Sequence, residues 1–599
     1  MCAIFGIIGE YEQNKAYYAL NRLSHRGQDY CGVIEKPRLF FAHHRLVINS
    51  HTSNQPFIYG DIALSFNGEI YNYKELRDEL KESFSFESAD ESEVIVAAYK
   101  KWGVEFVNRL RGMFAIALLD GEVLYLFRDR LGKKPLFYMD GLAFVFASEI
   151  KAIVPFLDKL EMDNDALLSY LSFLAPTPPY TFFKNIKKLA SGEYVKFHNG
   201  IASVHRYFEL LDTTPNLITN KDEAIYKLEK IIDESIKLRT TCDVPMASLL
   251  SGGIDSAAIV YYAKKNNLTL QTYTLGYKEF RKYDERENAK ESASMLGVSN
   301  RDIEISKDEF LDALDEVLDA LDEPLNDPAA VPLYLLFKEI KKDGYKVVLS
   351  GEGGDELFLG YRQYFEYLDI QTLTNLKNKN WLSNYFHSNF SANREWEMYK
   401  RVFDNTLLFR GMGENFTDLQ KNSAMRRNIR DNESLKYIAS YRDRFNASPH
   451  RDESIWYSYI DLHIFQAEHY LTKLDRVSMA HTIESRTPFL DHHLASLVFS
   501  IDPKLRYEDG VTKSLLKSLL EPYIDKKILL RKKKGFSNPF MEYLVEANKL
   551  ALIKEVNEKT LIFREDVLDS YIQKAKSGAF KQHTWGLFML SLWIKKYLL

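Results

Sequence analysis

The chain has 599 residues, against the ~100 to 200 usual for one domain, so two or three compact units are expected. Apolar residues make up 46% and charged residues 27%, which fits a folded globular protein and argues against disorder. With 79 Lys plus Arg against 84 Asp plus Glu, the net charge of −5 gives no long-range attraction to a phosphate backbone, and nucleic acid is not an expected partner.

The start, Met1-Cys2-Ala3-Ile4-Phe5-Gly6, has no basic segment of the kind that opens a secretion signal. The longest apolar run near the C-terminus, 585–594, is too short to span a bilayer. Three cysteines, Cys2, Cys31 and Cys242, lack the paired spacing of a zinc site or redox dithiol, so a reducing cytoplasm is the expected location. Along the first third, short strand-like runs such as 62–66, 110–119, 123–128 and 142–147 alternate with helical stretches at 74–81 and 91–101, and 194–208 closes the unit. This pattern predicts a layered α+β unit with antiparallel sheets. Residues 212–221 carry no apolar period and are the predicted linker, which puts the first unit at 2–210 and the second at 222–599. Beyond the linker, strand (246–250), glycine loop, helix (257–265) and strand (268–275) alternate as in a parallel sheet wrapped by helices. The same cadence returns at helix 331–342, strand 346–349 and a second glycine loop from Gly351, after which the chain reads as mainly helical.

A cysteine next to the initiator methionine becomes N-terminal once Met1 is removed, and then carries a nucleophilic thiol and a basic α-amine on one residue. Taken alone, Cys2 is equally a small residue that permits methionine excision. Downstream stand His25-Arg26-Gly27-Gln28-Asp29, His44-Arg45-Leu46, Asn54-Gln55-Pro56, Asn67-Gly68-Glu69-Ile70-Tyr71-Asn72 and Arg128-Asp129-Arg130-Leu131-Gly132. In order and spacing these resemble the class II glutamine amidotransferases, which implies an αββα sandwich of the N-terminal-nucleophile type. The resemblance implies that Arg45 and Glu69 hold the α-carboxylate and α-amine of glutamine and that Asn67 and Gly68 form the oxyanion hole. A guanidinium fork suits a carboxylate, and an amide with a backbone N–H suits an oxyanion. Each has a plainer alternative: Asn67-Gly68 could be a hairpin turn, and Arg45 and Glu69 could be solvated surface charges. Where that family has Ser-Asp-x-Glu-Val-Ile, this chain has Asp90-Glu91-Ser92-Glu93-Val94-Ile95, so Glu91 stands at the site of the amine-binding Asp, with Asp90 one residue away as its rival.

Ser251-Gly252-Gly253-Ile254-Asp255-Ser256 follows an apolar strand and opens a helix, a geometry that turns backbone amides onto an anion. No G-x-x-x-x-G-K-[ST] loop occurs. The segment resembles the pyrophosphate loop of ATP-pyrophosphatases. Ser350-Gly351-Glu352-Gly353-Gly354-Asp355-Glu356 follows a second apolar strand, so Asp255 and Asp355 could share a Mg²⁺ on the phosphates or be solvated loop acids. The order of these loops with Tyr273-Thr-Leu-Gly-Tyr277, Leu474-Asp-Arg-Val-Ser-Met479, Glu484-Ser-Arg-Thr-Pro-Phe-Leu-Asp491, Arg531-Lys-Lys-Lys-Gly-Phe536 and a helix with Trp585 and Trp593 resembles the asparagine synthetases over nearly the whole chain. The resemblance implies ATP and Mg²⁺ as cofactors and glutamine and aspartate as small-molecule substrates. It implies adenine on the backbone at Leu249 and Leu275, phosphates on Ser251, Gly252, Gly253, Asp255, Ser256, Ser350 and Gly351, Lys533 on phosphate or adenylate, and Glu352 as acid/base. A homodimer is left open. Two departures stand out: Leu359 replaces the first glycine of Leu-Phe-Gly-Gly-Tyr, and 371–452 carries no motif. The acceptor is open between aspartate and another carboxylate such as a uronic acid. A chain that kept only the fold, as a regulator or scaffold, is opposed by the intact Cys2, Asp255, Glu352 and Asp355.

Overall fold

The computed structural model describes residues 2–49, 54–212, 217–377, 379–389, 391, 393–531 and 537–599. Met1, 213–216 of the linker and Lys533 with its neighbours 532–536 lie outside them. Twelve strands build the first part: β1 Ala3–Ile8, β2 Tyr30–Lys36, β3 Leu39–Arg45, β4 Phe57–Tyr59, β5 Ile62–Ile70, β6 Gly112–Asp120, β7 Val123–Arg128, β8 Phe137–Met139, β9 Phe144–Ala147, β10 Ile186–Lys188, β11 Glu193–His198 and β12 Ile201–Arg206. They form two six-stranded antiparallel sheets, ordered β10-β8-β9-β1-β3-β2 and β12-β11-β7-β6-β5-β4.

Alternation along the strands makes this a four-layer sandwich. Ile4 of β1 joins Phe41, Ala115, Leu126, Phe146 and Val195 between the sheets. Phe5 and Ile7 point the other way, onto Ala16, Ala19 and Leu20 of the helix Gln13–Asn21. On the far side Leu64, Phe66 and Ile70 of β5 pack on Leu76 and Leu80 of the helix Tyr73–Leu80 and on Val94 and Ala97 of the helix Glu91–Trp102. The expected αββα sandwich is therefore present. The hairpin alternative for Asn67-Gly68 is not: both residues lie inside β5, which pairs with β6 over all nine of its positions.

The second sheet system is parallel throughout: β13 Met246–Leu249, β14 Gln271–Tyr277, β15 Ser299–Ile305, β16 Val347–Leu349 and β17 Glu484–Arg486, in the order β15-β14-β13-β16-β17. Helices Ile254–Lys265, Arg286–Leu296, Lys307–Leu321 and Ala330–Lys342 connect the first four strands. The winding direction reverses between β13 and β16, and in open α/β sheets ligands bind beyond the carboxyl ends of the strands at such a reversal. Both glycine loops leave from these two strands. From 351 onward the chain is largely helical, as expected, but the motif Glu484–Asp491 opens with β17, the fifth strand. Its Glu-Ser-Arg sequence has no apolar alternation to announce it, because buried ion pairs cover its polar side chains.

The stretch 371–452 is pinned by charges. Arg401 pairs with Glu414 at 2.6 Å and with Glu397, Arg410 pairs with Asp418 at 2.8 Å, and all five side chains are buried. Lys421 Nζ donates to Ser172 Oγ at 2.6 Å, docking the stretch on the helix Asn164–Phe173 of the first part.

Candidate active sites

Cys2 immediately precedes β1, with its side chain buried. Its backbone N–H donates to Asn67 Oδ1 at 3.1 Å, so β1 and β5 are latched across the sandwich at this point. Asn67 Nδ2 is buried with no hydrogen-bond partner among the described residues. Such a donor is costly to bury unused, and an amide aimed beside a nucleophile is what a developing oxyanion needs. Gly68 has φ +153°, and a Cβ there would sit 1.9 Å from Met113 O on β6, so this position admits only glycine. Burial pushes the Cys2 thiol up, with Glu484 and Glu69 adding to the rise.

Around the thiol stands a cluster of buried carboxylates. Glu69 Oε2 accepts from Asn49 Nδ2 at 2.9 Å, and Glu91 Oε2 accepts from the Ile70 N–H at 3.0 Å. Burial and then the Glu484 charge raise the Glu69 pKa to about 7, while burial and Glu69 push Glu91 well above the usual range. Asp90 instead caps the helix Glu91–Trp102, its side chain accepting from the Ser92 N–H at 2.8 Å, so it is Glu91 that reaches the cluster. Arg45 ends β3, half-buried, and its Nη1 donates to Asn54 Oδ1 at 2.8 Å. Two residues of β17 complete the pocket from the parallel sheet. Arg486 holds Glu484 through Nε at 2.6 Å and reaches to 3.6 Å from Glu69 Oε1. Burial alone would raise Glu484, but Arg486, the N-terminal ammonium and Lys134 together outweigh it and the Glu484 pKa is lowered.

At the reversal of the parallel sheet, Ser251, Gly252 and Gly253 lead from β13 into the helix Ile254–Lys265. Ser251 Oγ lies 3.2 Å from Ser256 Oγ, which folds the loop over the helix N-terminus. Gly252 has φ +77°, and a Cβ there would meet Arg531 and Asn288 at 2.9 Å. Arg531 Nη1 in turn donates to Gly252 O at 2.6 Å and Nη2 to Glu291 at 2.7 Å, clamping the loop from a distance of 279 residues in sequence. Leu249 ends β13, and Leu275 lies two residues before the end of the adjacent strand β14. Ser350, after β16, donates its N–H to Arg486 O at 2.9 Å, so β17 supports this loop as well as the cysteine pocket. Glu352 sits half-buried in the turn between Gly351 and Gly353. Tyr470 is kept protonated by burial and then by the carboxylates of Asp327, Glu352, Glu356 and Asp355.

Asp255 and Asp355 face each other across Lys513, whose Nζ binds Asp255 and lies 2.7 Å from Asp355 Oδ1. Burial disfavours this ammonium, yet the two aspartates raise its pKa. Among the described residues no three His, Cys, Asp or Glu side chains converge as a metal cage. The pair of carboxylates does fit a Mg²⁺, which takes one or two of them and completes its octahedron with water and phosphate oxygens. Leu359, fully buried, takes φ +52°, a conformation unfavourable for a branched side chain, one residue before Gly360 N–H donates to Asp355 O at 2.8 Å. The departure from glycine thus stores strain beside the carboxylate pair.

A family model described as asparagine synthase matches residues 227–595, and one described as a glutamine amidotransferase domain matches residues 1–208. The chain belongs to the asparagine synthase family. It is similar to the glutamine-hydrolysing asparagine synthetase 1 of Bacillus subtilis (strain 168), with 32% identity over 96% of this chain and 92% of that one. It is also similar to the glutamine-hydrolysing asparagine synthetase B of Escherichia coli (strain K12), with 32% identity over 60% of this chain and 65% of that one. The amidase chry2 of Gibberella zeae is 25% identical over 87% of this chain and 84% of its own length. No helix among the described residues is long and apolar enough to cross a membrane.

For a member of the asparagine synthase family, the structure brings Cys2, Asn67, Gly68, Glu69 and Glu91 into one pocket and Ser251, Ser256, Asp255 and Asp355 into another. Lys533 lies outside the described residues. Sequence reasoning assigned no role to Lys513, Arg531, Glu484 or Arg486. The last three stood inside quoted motifs, which was a usable signal, whereas Lys513 carries none. It also takes a left-handed backbone, φ +57°, that no local pattern announces.

Proposed function

We propose that the chain makes asparagine from aspartate, with a glutaminase unit at 2–210 feeding ammonia to an ATP-dependent synthetase unit at 222–599. In this reading the Cys2 thiol attacks the carboxamide of glutamine, and its nitrogen, an α-amine once Met1 is removed, takes the proton. Asn67 Nδ2 and the Gly68 N–H receive the oxyanion. Arg45 holds the α-carboxylate of glutamine, and Glu69 and Glu91 hold its ammonium. Ammonia leaves, and water releases glutamate from the thioester. At the second site the Ser251–Ser256 loop with Ser350 and Gly351 binds the phosphates of ATP, and the backbone at Leu249 and Leu275 holds adenine. The β-carboxylate of aspartate, which lacks a leaving group, attacks the α-phosphorus, giving β-aspartyl-AMP and pyrophosphate. Asp255 and Asp355 would hold a Mg²⁺, whose contribution is to neutralise phosphate charge. Ammonia then attacks the acyl carbon, Glu352 accepts a proton, Lys533 contacts the phosphate or adenylate, and AMP departs.

The observation that supports this most is the buried, partnerless Nδ2 of Asn67 beside Cys2, in a pocket walled by the strand β17 that also holds Ser350 of the nucleotide loop. The test is to supply ATP, Mg²⁺ and ammonium with aspartate or with a uronic acid and to quantify AMP and the amidated product. Asparagine and AMP in equal amounts with aspartate are expected. AMP release with the uronic acid alone would refute the aspartate assignment.

A further inference from the structure

The glutaminase reading needs only groups within a few ångströms of Cys2, yet the nucleophile's strand is also held from the synthetase half. Arg26 Nε donates to the Cys2 carbonyl at 3.2 Å. Its two Nη atoms form a fork on Asp475, at 2.8 Å and 3.2 Å, and Nη1 also donates to Glu149 at 2.7 Å. Asp475 lies in the helix Leu471–Met479, 449 residues along the chain from Arg26. The next residue, Arg476, pairs with the same Glu149 at 2.9 Å. The result is a closed chain of alternating charges, Asp475–Arg26–Glu149–Arg476, in which no side chain is more than 3% exposed. Lys134 adds a weaker contact to Asp475 at 3.5 Å. Burial opposes every one of these charges. Even so, the Arg26 pKa is raised by Asp475 and Glu149, and that of Asp475 is lowered by Arg26 and Lys134.

A buried ion pair of this kind adds little net stability, but removing one partner strands the other and lets it move. Removing Asp475 would leave the Arg26 guanidinium on Glu149 alone, without the fork that sets the direction of its Nε arm on the Cys2 carbonyl. Tyr470, just before this helix, is kept protonated by burial and then by the charges of Asp327 and of Glu352, Glu356 and Asp355 in the second glycine loop, and Lys473 is bound to Asp327 at 2.5 Å.

We infer that Asp475 is a positioning residue for glutamine hydrolysis: through the bidentate fork on Arg26 it sets the place of Cys2, so that a helix of the synthetase half orients the nucleophile of the other half. The inference rests on the assignment of Cys2 as the glutaminase nucleophile. A displacement of ~1 Å at a reacting atom costs up to about 10²-fold in rate. Glutamate release without ATP should therefore fall ~10- to 100-fold in kcat for Asp475→Asn, with the KM for glutamine changed less than about threefold. Alkylation of Cys2 by iodoacetamide, resolved by peptide from Cys31 and Cys242, should slow in parallel, while ammonium-supported AMP formation stays within about twofold of wild type. A general loss of structure would lower both activities together and shift the melting curve. If Asp475→Asn does not fold, Arg26→Lys keeps a cation between Asp475 and Glu149 but removes the donor to Cys2, and the same readouts apply. Wild-type kcat and wild-type Cys2 alkylation in the folded variant would overturn the inference. The alkylation rate is read whether or not glutamine is hydrolysed, so a failed glutaminase assignment and a failed positioning role give different results.

Discussion

The pocket beside Cys2 takes Asn67, Gly68 and Glu69 from the middle of a paired strand, whereas the proposed nucleotide site takes its groups from segments that leave the ends of β13 and β16 and are tied down by cations distant in sequence. In the first, Asn67, Gly68 and Glu69 cannot shift without breaking the pairing of β5 with β6, and their desolvation shows as raised carboxyl and thiol pKa values. In the second, Asp255 and Asp355 are held by Lys513, and the Ser251 loop by Arg531, contacts that a bound nucleotide and metal can exchange for new ones. A rigid pocket suits a reaction whose charge develops at one oxygen. An adaptable loop pair suits one in which phosphates arrive, move and leave.

If that contrast is right, the nucleotide half responds most to changes in its chemical groups. Glu352→Gln should lower ammonium-supported asparagine formation by about 10²- to 10⁴-fold while pyrophosphate release is less affected, because the substitution keeps size and removes only the basic site. An unchanged rate would leave Glu352 as a structural member of its loop. Lys513→Met should act next most strongly. It leaves two facing carboxylates without their ammonium, and loss of such an outer partner typically costs ~10- to 100-fold, here in AMP formation, with glutamate release unaltered. Equal loss of both activities would mean that Lys513 supports the whole fold.

The pH response of the cysteine pocket is smaller and has a definite sign. Burial and Glu484 bring the Glu69 pKa to about 7, so below that pH its carboxyl is protonated and no longer attracts the ammonium of glutamine. The KM for glutamine should rise about tenfold per pH unit below 7 and level off above it, and Glu69→Gln should remove the dependence while raising KM throughout. A KM that is flat from pH 6 to 8 would contradict the assignment of Glu69 to the ammonium.

How far the sequence revealed these regions follows from where their residues lie. Asn67-Gly68-Glu69 and the Ser251 and Ser350 loops are contiguous, so their chemistry was legible, and the apolar strands ahead of the loops gave the sheet its parallel reading. What was missed comes from far along the chain. Arg486 serves Glu69 from 417 positions away by number, and Lys513 serves Asp255 across 258 residues. No periodicity links such partners. The strand β17 was hidden because Glu484 and Arg486 neutralise each other in the core and need no apolar pattern. The Asn67-Gly68 turn alternative failed for a related reason: its exclusion rests on the register with β6, which forms some 45 residues later.

The claim that two separate chemistries share this chain is tested most directly by Cys2→Ala, assayed with glutamine and with ammonium under otherwise identical conditions. The account predicts that glutamine-supported asparagine synthesis is abolished and that ammonium-supported synthesis stays within about twofold of wild type, since the thiol acts only in releasing ammonia. Equal loss with both nitrogen donors would contradict it.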